Sequence, residues 1–220
     1  MATTSQLTSR FAIFTDHRRR KIKLEDCIFK FKIDYDKEQL AKESKLYHYK
    51  PINTETLNNI YNVSESDNDD LSFIQKDETW WKDQESWNTG YKLKEDNVND
   101  LPESERLTNL FKRIVGTEHI KPNFFTQTKG TEVKTHVDVG TLCAINFMIK
   151  GGETPVRFDD ADAVIVEKYT VALLDVSRNH SVPIQTGEDR LLFKLRFTHN
   201  KYEEVNEELY KSIQSGNVRF

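Results

Sequence analysis

The chain is short of the residues that build sites without a large hydrophobic core. Only two of its 220 residues are cysteine, Cys27 and Cys143, far apart in the chain. There is no CxxC and no Cys/His cluster, which argues against a zinc ribbon or finger and against a disulfide framework. Two lone thiols point instead to a reducing, cytoplasmic environment. No apolar run approaches the roughly 18 residues a membrane span needs. Met1 to Phe14 lacks the apolar stretch of a secretory signal. An excess of positive charge is missing as well. The net charge is -4 and the pI about 5.9, so nucleic acid is not the expected partner. No internal repeat and no low-complexity tract interrupts the chain.

What is present suits one sizeable domain with an elaboration. Charged residues make up 31% and the mean hydropathy is -0.71, yet 13 Phe, 8 Tyr and 3 Trp can build a core. Disorder throughout is thereby excluded. The basic run His17-Arg18-Arg19-Arg20-Lys21 reads as a solvated stretch in an N-terminal arm, residues 1–24. Residues 25–220 read as a single domain in three parts: an α-rich part over 25–118, a β-core over 119–200, and a C-terminal helix or tail over 201–220.

Periodicity carries this division. Cys27 to Tyr35 sets Phe29, Phe31, Ile33 and Tyr35 against Lys30, Lys32 and Asp34, a strand signal. Asp36 to Tyr49 and Asn53 to Tyr61 read as helices, and Ser64 to Asp70 as a loop. Asp100 to Val115 is the clearest helix. Asp100 can cap it, Pro102 sits early, and Leu107, Leu110, Phe111, Ile114 and Val115 form one apolar stripe before Gly116. Beyond it, short strand signals follow at 123–128, 133–137, 141–149, 156–158, 163–166, 170–176 and 190–198. Turn residues such as Lys129-Gly130 and Lys150-Gly151-Gly152 separate them. This spacing predicts an antiparallel sandwich or barrel. Glu203 to Ile213 predicts a closing surface helix.

Three residues stand out for their chemistry. His136 and Asp138 lie two apart in the segment KTHVDVG, and period-two geometry would set both on one strand face. His180 follows the apolar run TVALLDV. Two imidazoles and one carboxylate make the facial metal triad of non-haem iron oxygenases, which leaves coordination positions open. A histidine and an aspartate two apart mean little by themselves; the strand-rich surroundings and the second histidine give the pair weight. Ten residues after His180, Arg190 opens the strand RLLFKLRF. Leu191, Phe193, Leu195 and Phe197 make one face of it, a core face. Arg190, Leu192, Lys194 and Arg196 make the other. A guanidinium presents a planar fork matched to a carboxylate, whereas Lys194 and Arg196 read equally as ordinary solvated positions or as part of the site.

The pattern THVD, NHSV and DRLLFKLRF resembles the Fe(II)/2-oxoglutarate-dependent oxygenases over roughly residues 105–200. It is most similar to their prolyl and aspartyl/asparaginyl hydroxylase-like branch, including small microbial and phage forms. The resemblance implies a mainly β fold, a double-stranded β-helix (jelly-roll) core with flanking helices behind an α-rich N-terminal half. It implies His136, Asp138 and His180 as ligands to Fe(II), with 2-oxoglutarate as co-substrate and O2 as oxidant. Arg190 would anchor the distal carboxylate of the keto acid. Gln127, on the strand before the KGTE turn, would touch the same molecule. Asn146 is a candidate for that contact and equally for satisfying a neighbouring backbone group. Arg196 would support the carboxylate site or face solvent. Arg178 would face the opening or the surface.

The expected reaction is hydroxylation of a C–H bond in a protein or peptide side chain or a small molecule. The rivals are a cupin-type metalloenzyme that uses no keto acid and a non-enzymatic binding protein on the same scaffold. Trp80, Trp81, Trp87 and Tyr91 read as a clamp fastening the N-terminal half to the barrel, or as a substrate platform. His17, His48 and His119 have no companions at ligand spacing. His199, at the far end of the Arg190 strand, is the weaker candidate for third ligand.

Overall fold

The computed structural model describes residues 23–51, 87–92, 101–159, 161 and 163–216, with the backbone only for 48–51 and 87–92. The helix expected at Asn53 to Tyr61, the loop at Ser64 to Asp70, Trp80, Trp81, Asp100 and most of the N-terminal arm lie outside these residues.

Strand β10 (Arg190–Phe197) is the centre of the molecule. Its neighbours are β4 (Ile120–Gln127) on one side and β6 (Cys143–Lys150) on the other, both antiparallel. The sheet extends through β8 (Val171–Leu174) to β1 (Ile28–Phe31), and through β3 (Trp87–Lys92) to β2 (Tyr47–Pro51), giving the order β1-β8-β6-β10-β4-β3-β2. A second sheet of β5 (Val133–His136), β9 (His180–Val182) and β7 (Arg157–Phe158) has the order β5-β9-β7. A bridge between Val156 and Val164 continues its far edge. Successive strands from β4 to β10 alternate between the two sheets, with β8 returning to the large one. That is the winding of a double-stranded β-helix, the expected jelly-roll core.

Period-two alternation explains why both faces of β10 are filled. Phe193, Leu195 and Phe197 point outward, into a cluster with Phe124, Ile145, Phe147 and Leu173. Helices α1 (Lys37–Glu43), α2 (Pro102–Val115) and α3 (Tyr202–Gln214) close that cluster with Leu40, with Leu107 and Phe111, and with Tyr202, Val205 and Leu209. The rings interlock: Phe193 lies 5.0 Å from Phe124 and 5.7 Å from Phe147, and Phe111 meets Phe147 edge-on at 6.0 Å. The inner face faces the small sheet. There Phe125, Ala144, Met148, Ala172, Leu174 and Leu192 join Val133, Phe158 and Val182 in a second core.

Several local expectations are corrected. The strand signal at Cys27–Tyr35 yields only Ile28–Phe31. The helix expected through Tyr49 stops at Glu43, a 3-10 turn covers Ser44–Leu46, and Tyr47 begins β2. Trp87 and Tyr91 belong to β3, so the N-terminal part supplies strands to the large sheet as well as helices to its outer face. The strand expected at 163–166 is a single bridge.

Helix α2 begins at Pro102 behind Leu101, which offers no side-chain cap. Glu43 provides the cap from α1. Its buried carboxylate accepts the backbone N–H of Glu103 and of Ser104, both at 2.9 Å, and the Ser104 hydroxyl. Glu103 in turn accepts from the Asp36 N–H at 2.8 Å and from Arg106. The two helix starts are thus stitched together by charge-assisted hydrogen bonds. Gly116, at φ 68°, ends α2 in the left-handed conformation. Glu43→Ala leaves two buried N–H groups unpaired and is expected to cost about 1–3 kcal/mol. Urea denaturation checks this, and an unchanged midpoint would mean that the cap is dispensable.

Candidate metal centre

The sequence expectation put His136 and Asp138 on one strand face. The strand ends at His136, however, and Asp138 reaches the site by another route. Its N–H donates to the Val176 carbonyl at 2.9 Å, and its carbonyl closes a turn with Thr141. Gly140, at φ 64°, allows that turn. His180 opens β9 directly opposite His136 in the antiparallel register. Their rings lie 4.3 Å apart, with Phe158 at 6.1 Å on the other side of His180.

The three side chains converge. Asp138 Oδ1 lies 3.3 Å from His136 Nε2 and 3.8 Å from His180 Nε2. One donor atom from each residue falls within 4.8 Å of the others, the one such cluster among the described residues. Each imidazole is oriented from behind. His136 Nδ1 donates to the Lys134 carbonyl at 2.8 Å, and His180 Nδ1 to the Arg178 carbonyl at 2.9 Å. Both Nε2 atoms therefore face Asp138, an arrangement common behind metal-bound histidines. Burial pushes the His180 imidazole down to about 3, and His136 adds to this. His180 thus stays neutral, as a ligand must be. Burial opposes the charge on Asp138, but the Lys194 ammonium beside it prevails and holds the carboxyl well below its usual range. The donor set fits one divalent ion of borderline hardness.

Lys194 does not lie on a solvated face, a reading that alternation alone leaves open. It is only 4% exposed, and its ammonium pairs with Asp138 Oδ2. It also lies 5.2 Å above the Phe125 ring. A signal was available: β10 alternates cations with a row of large apolar side chains, so if both faces are covered a cation on it needs an anion.

The other expected residues distribute along the same inner wall. Arg190 is 1% exposed and pairs in register with Gln127. Its Nη2 donates to the Thr154 carbonyl, whereas its Nε has no hydrogen-bond partner. Burial pushes its guanidinium down to about 10, and Glu153 partly offsets this, so it remains charged at neutral pH. Gln127 donates to the Thr131 carbonyl at 2.9 Å, but its Oε1 is buried without a partner, as are Thr154 Oγ1 and Asn146 Oδ1. Asn146 faces Lys194 across the β6–β10 register. Gly151, at φ 65°, packs so closely that a Cβ there would stand 2.9 Å from the Arg190 Cα.

Arg196 pairs in register with Ala144 and Lys121, near the end of β10 away from Arg190. Arg178 is engaged with Asp175 at 2.6 Å and serves the site through its carbonyl. His199 is exposed and stacks on His119 at 3.9 Å, away from the triad. Cys27 and Cys143 are both buried free thiols. No helix among the described residues is long and apolar enough to cross a membrane.

Fold and site together define a jelly-roll protein with a candidate metal centre between its sheets. No protein-family model matches the chain, and no curated protein sequence does. Among solved structures, the ectoine synthase from P. lautus is 15% identical, with 56% of this chain and 72% of that one covered and a TM-score of 0.35. The salicylate 1,2-dioxygenase from Pseudaminobacter salicylatoxidans is 16% identical over 43% of this chain, with a TM-score of 0.31. This chain spans only 24% of that dioxygenase. TT1209 from Thermus thermophilus is 17% identical over 37% of this chain and 75% of its own, with a TM-score of 0.31. These are partial overlaps and carry nothing about activity.

The His180 environment has a pH signature. The unfolded imidazole takes its proton near pH 6.5, and the folded one only near pH 3. Between these values the unfolded state binds more protons, so stability falls as the pH falls, by up to about 1.4 kcal/mol per unit. Urea midpoints of chelator-treated protein between pH 7 and 4.5 are expected to decline, and less steeply in His180→Gln. Parallel slopes would contradict this account of His180.

Proposed function

We propose that this protein is a jelly-roll metalloenzyme in which His136, Asp138 and His180 hold one divalent ion, Fe(II) first. Within that class we read it as a 2-oxoglutarate-dependent oxygenase that hydroxylates a C–H bond in a protein or peptide side chain or a small molecule. The observation that carries the reading is the convergence of two imidazole Nε2 atoms and one carboxylate oxygen, with both rings oriented by backbone carbonyls. Bound there with a keto acid, Fe(II) supplies the O2 activation that side chains cannot provide.

The chain's own residues bind, orient and exclude water. The Lys134 and Arg178 carbonyls keep the imidazole lone pairs aimed at one point. Lys194 occupies Asp138 Oδ2 and leaves Oδ1 facing the imidazoles. The support for a keto acid is Arg190, a buried cation with an unpartnered Nε beside the unpartnered Gln127 Oε1 and Thr154 Oγ1. An extended dicarboxylate would find there a charge-assisted anchor for its far end. Asn146 and Arg196 lie on the same wall as further candidates for polar contact.

A second reading, a cupin-type metalloenzyme without a keto acid, is favoured by one observation. The Arg190 guanidinium already donates to the Thr154 carbonyl, a bond that suits a purely structural role. Anaerobic titration of the Fe(II)-loaded protein with 2-oxoglutarate separates the two readings. A visible charge-transfer band, lost in Asp138→Ala, is expected. Arg190→Met should weaken 2-oxoglutarate binding by roughly tenfold or more while leaving metal binding in place. Metal binding with no band would select the second reading. Undiminished metal binding by Asp138→Ala would remove the triad from both.

A further inference from the structure

Lys194 is not needed to make a three-ligand metal site. A buried ammonium on a ligating carboxylate works against a metal cation, because both draw on the same negative charge. With metal-bound imidazoles counted as neutral, the charges of Asp138 and Lys194 cancel. A divalent ion in the cluster would therefore keep its full double charge inside the barrel, where unpaired charge is costly. Among the described residues, Asp138 is the one carboxylate paired with Lys194. The rest of the wall offers the face of Phe125, and across the register Asn146, whose Oδ1 is itself unpartnered. The missing negative charge has to come from outside.

We infer that Lys194 is a specificity-determining residue that makes the site select a metal together with a small carboxylate anion over a bare divalent ion. This rests on the metal reading proposed above and extends it to a residue that reading does not require. The ammonium weakens the hold on the cation alone, then adds its attraction to an anion seated beside it. Lys194 also keeps Oδ2 of Asp138 occupied, so the carboxylate meets a metal through one oxygen and leaves room for that anion.

The test is calorimetric titration of chelator-treated protein with Mn2+, a redox-stable stand-in, followed by titration of the Mn2+-loaded protein with oxalate. Two neutral variants are used, Lys194→Gln and Lys194→Met, because Gln still donates to Asp138 and guards against misfolding of Met. Lys194→Arg preserves the charge. Both neutral variants are expected to bind Mn2+ at least about tenfold more tightly than wild type and oxalate at least about tenfold more weakly. Lys194→Arg is expected to stay within about threefold of wild type for both. Weaker Mn2+ binding in the neutral variants, or oxalate affinity that does not move, would overturn the inference and leave Lys194 a scaffold for Asp138. Failure of Mn2+ to bind wild type and every variant would instead overturn the metal reading itself.

Discussion

A strand covered on both faces has no solvent to shelter a charge, and β10 carries cations on one of those faces. Helices cover its outer side with Phe193, Leu195 and Phe197, and the small sheet covers its inner side. Lys194 and Arg190 are consequently 4% and 1% exposed. Each must meet a compensating group. For Lys194 that group is Asp138, which arrives from the turn after β5 and ties the large sheet to the loop that carries the candidate ligand. For Arg190 the contact found is one backbone carbonyl, with the Glu153 charge nearby. The ion pair shapes the candidate site, and the guanidinium is the less completely satisfied of the two buried cations.

Much of this was legible in the sequence because jelly-roll strands obey a simple alternation. RLLFKLRF announces two distinct faces, and the apolar stripe from Leu107 to Val115 announces a helix that must pack on one of them. His136, Asp138 and His180 could be singled out from residue type and spacing. What was not legible depends on distant partners. The start of α2 is capped by Glu43, some 60 residues earlier, where local reasoning offered only Asp100. Tyr47 leaves a helical pattern because β3 is there to pair with it. The strand alone leaves Lys194 solvated or buried, because the covering of its face is a property of the small sheet.

The route by which Asp138 reaches the site carries the same lesson. Alternation would have placed it on the His136 strand face, but β5 has ended by then. The Val176 carbonyl and the turn through Gly140 put the carboxylate in place. Register supplies the rest, since His136 and His180 are direct cross-strand partners. The candidate site is therefore assembled by the pairing of β5 with β9, the turn beyond β5, and the inner face of β10. Three separate pieces of chain supply it, and the barrel fixes their relative positions.

The central claim is that these three side chains share one metal ion. Anomalous diffraction from crystals soaked with Mn2+ tests it most directly. The account predicts one strong peak bound by Nε2 of His136, Nε2 of His180 and a single oxygen of Asp138, with Lys194 still on the other oxygen. A peak bound elsewhere, or none between these side chains at saturating Mn2+, would contradict it.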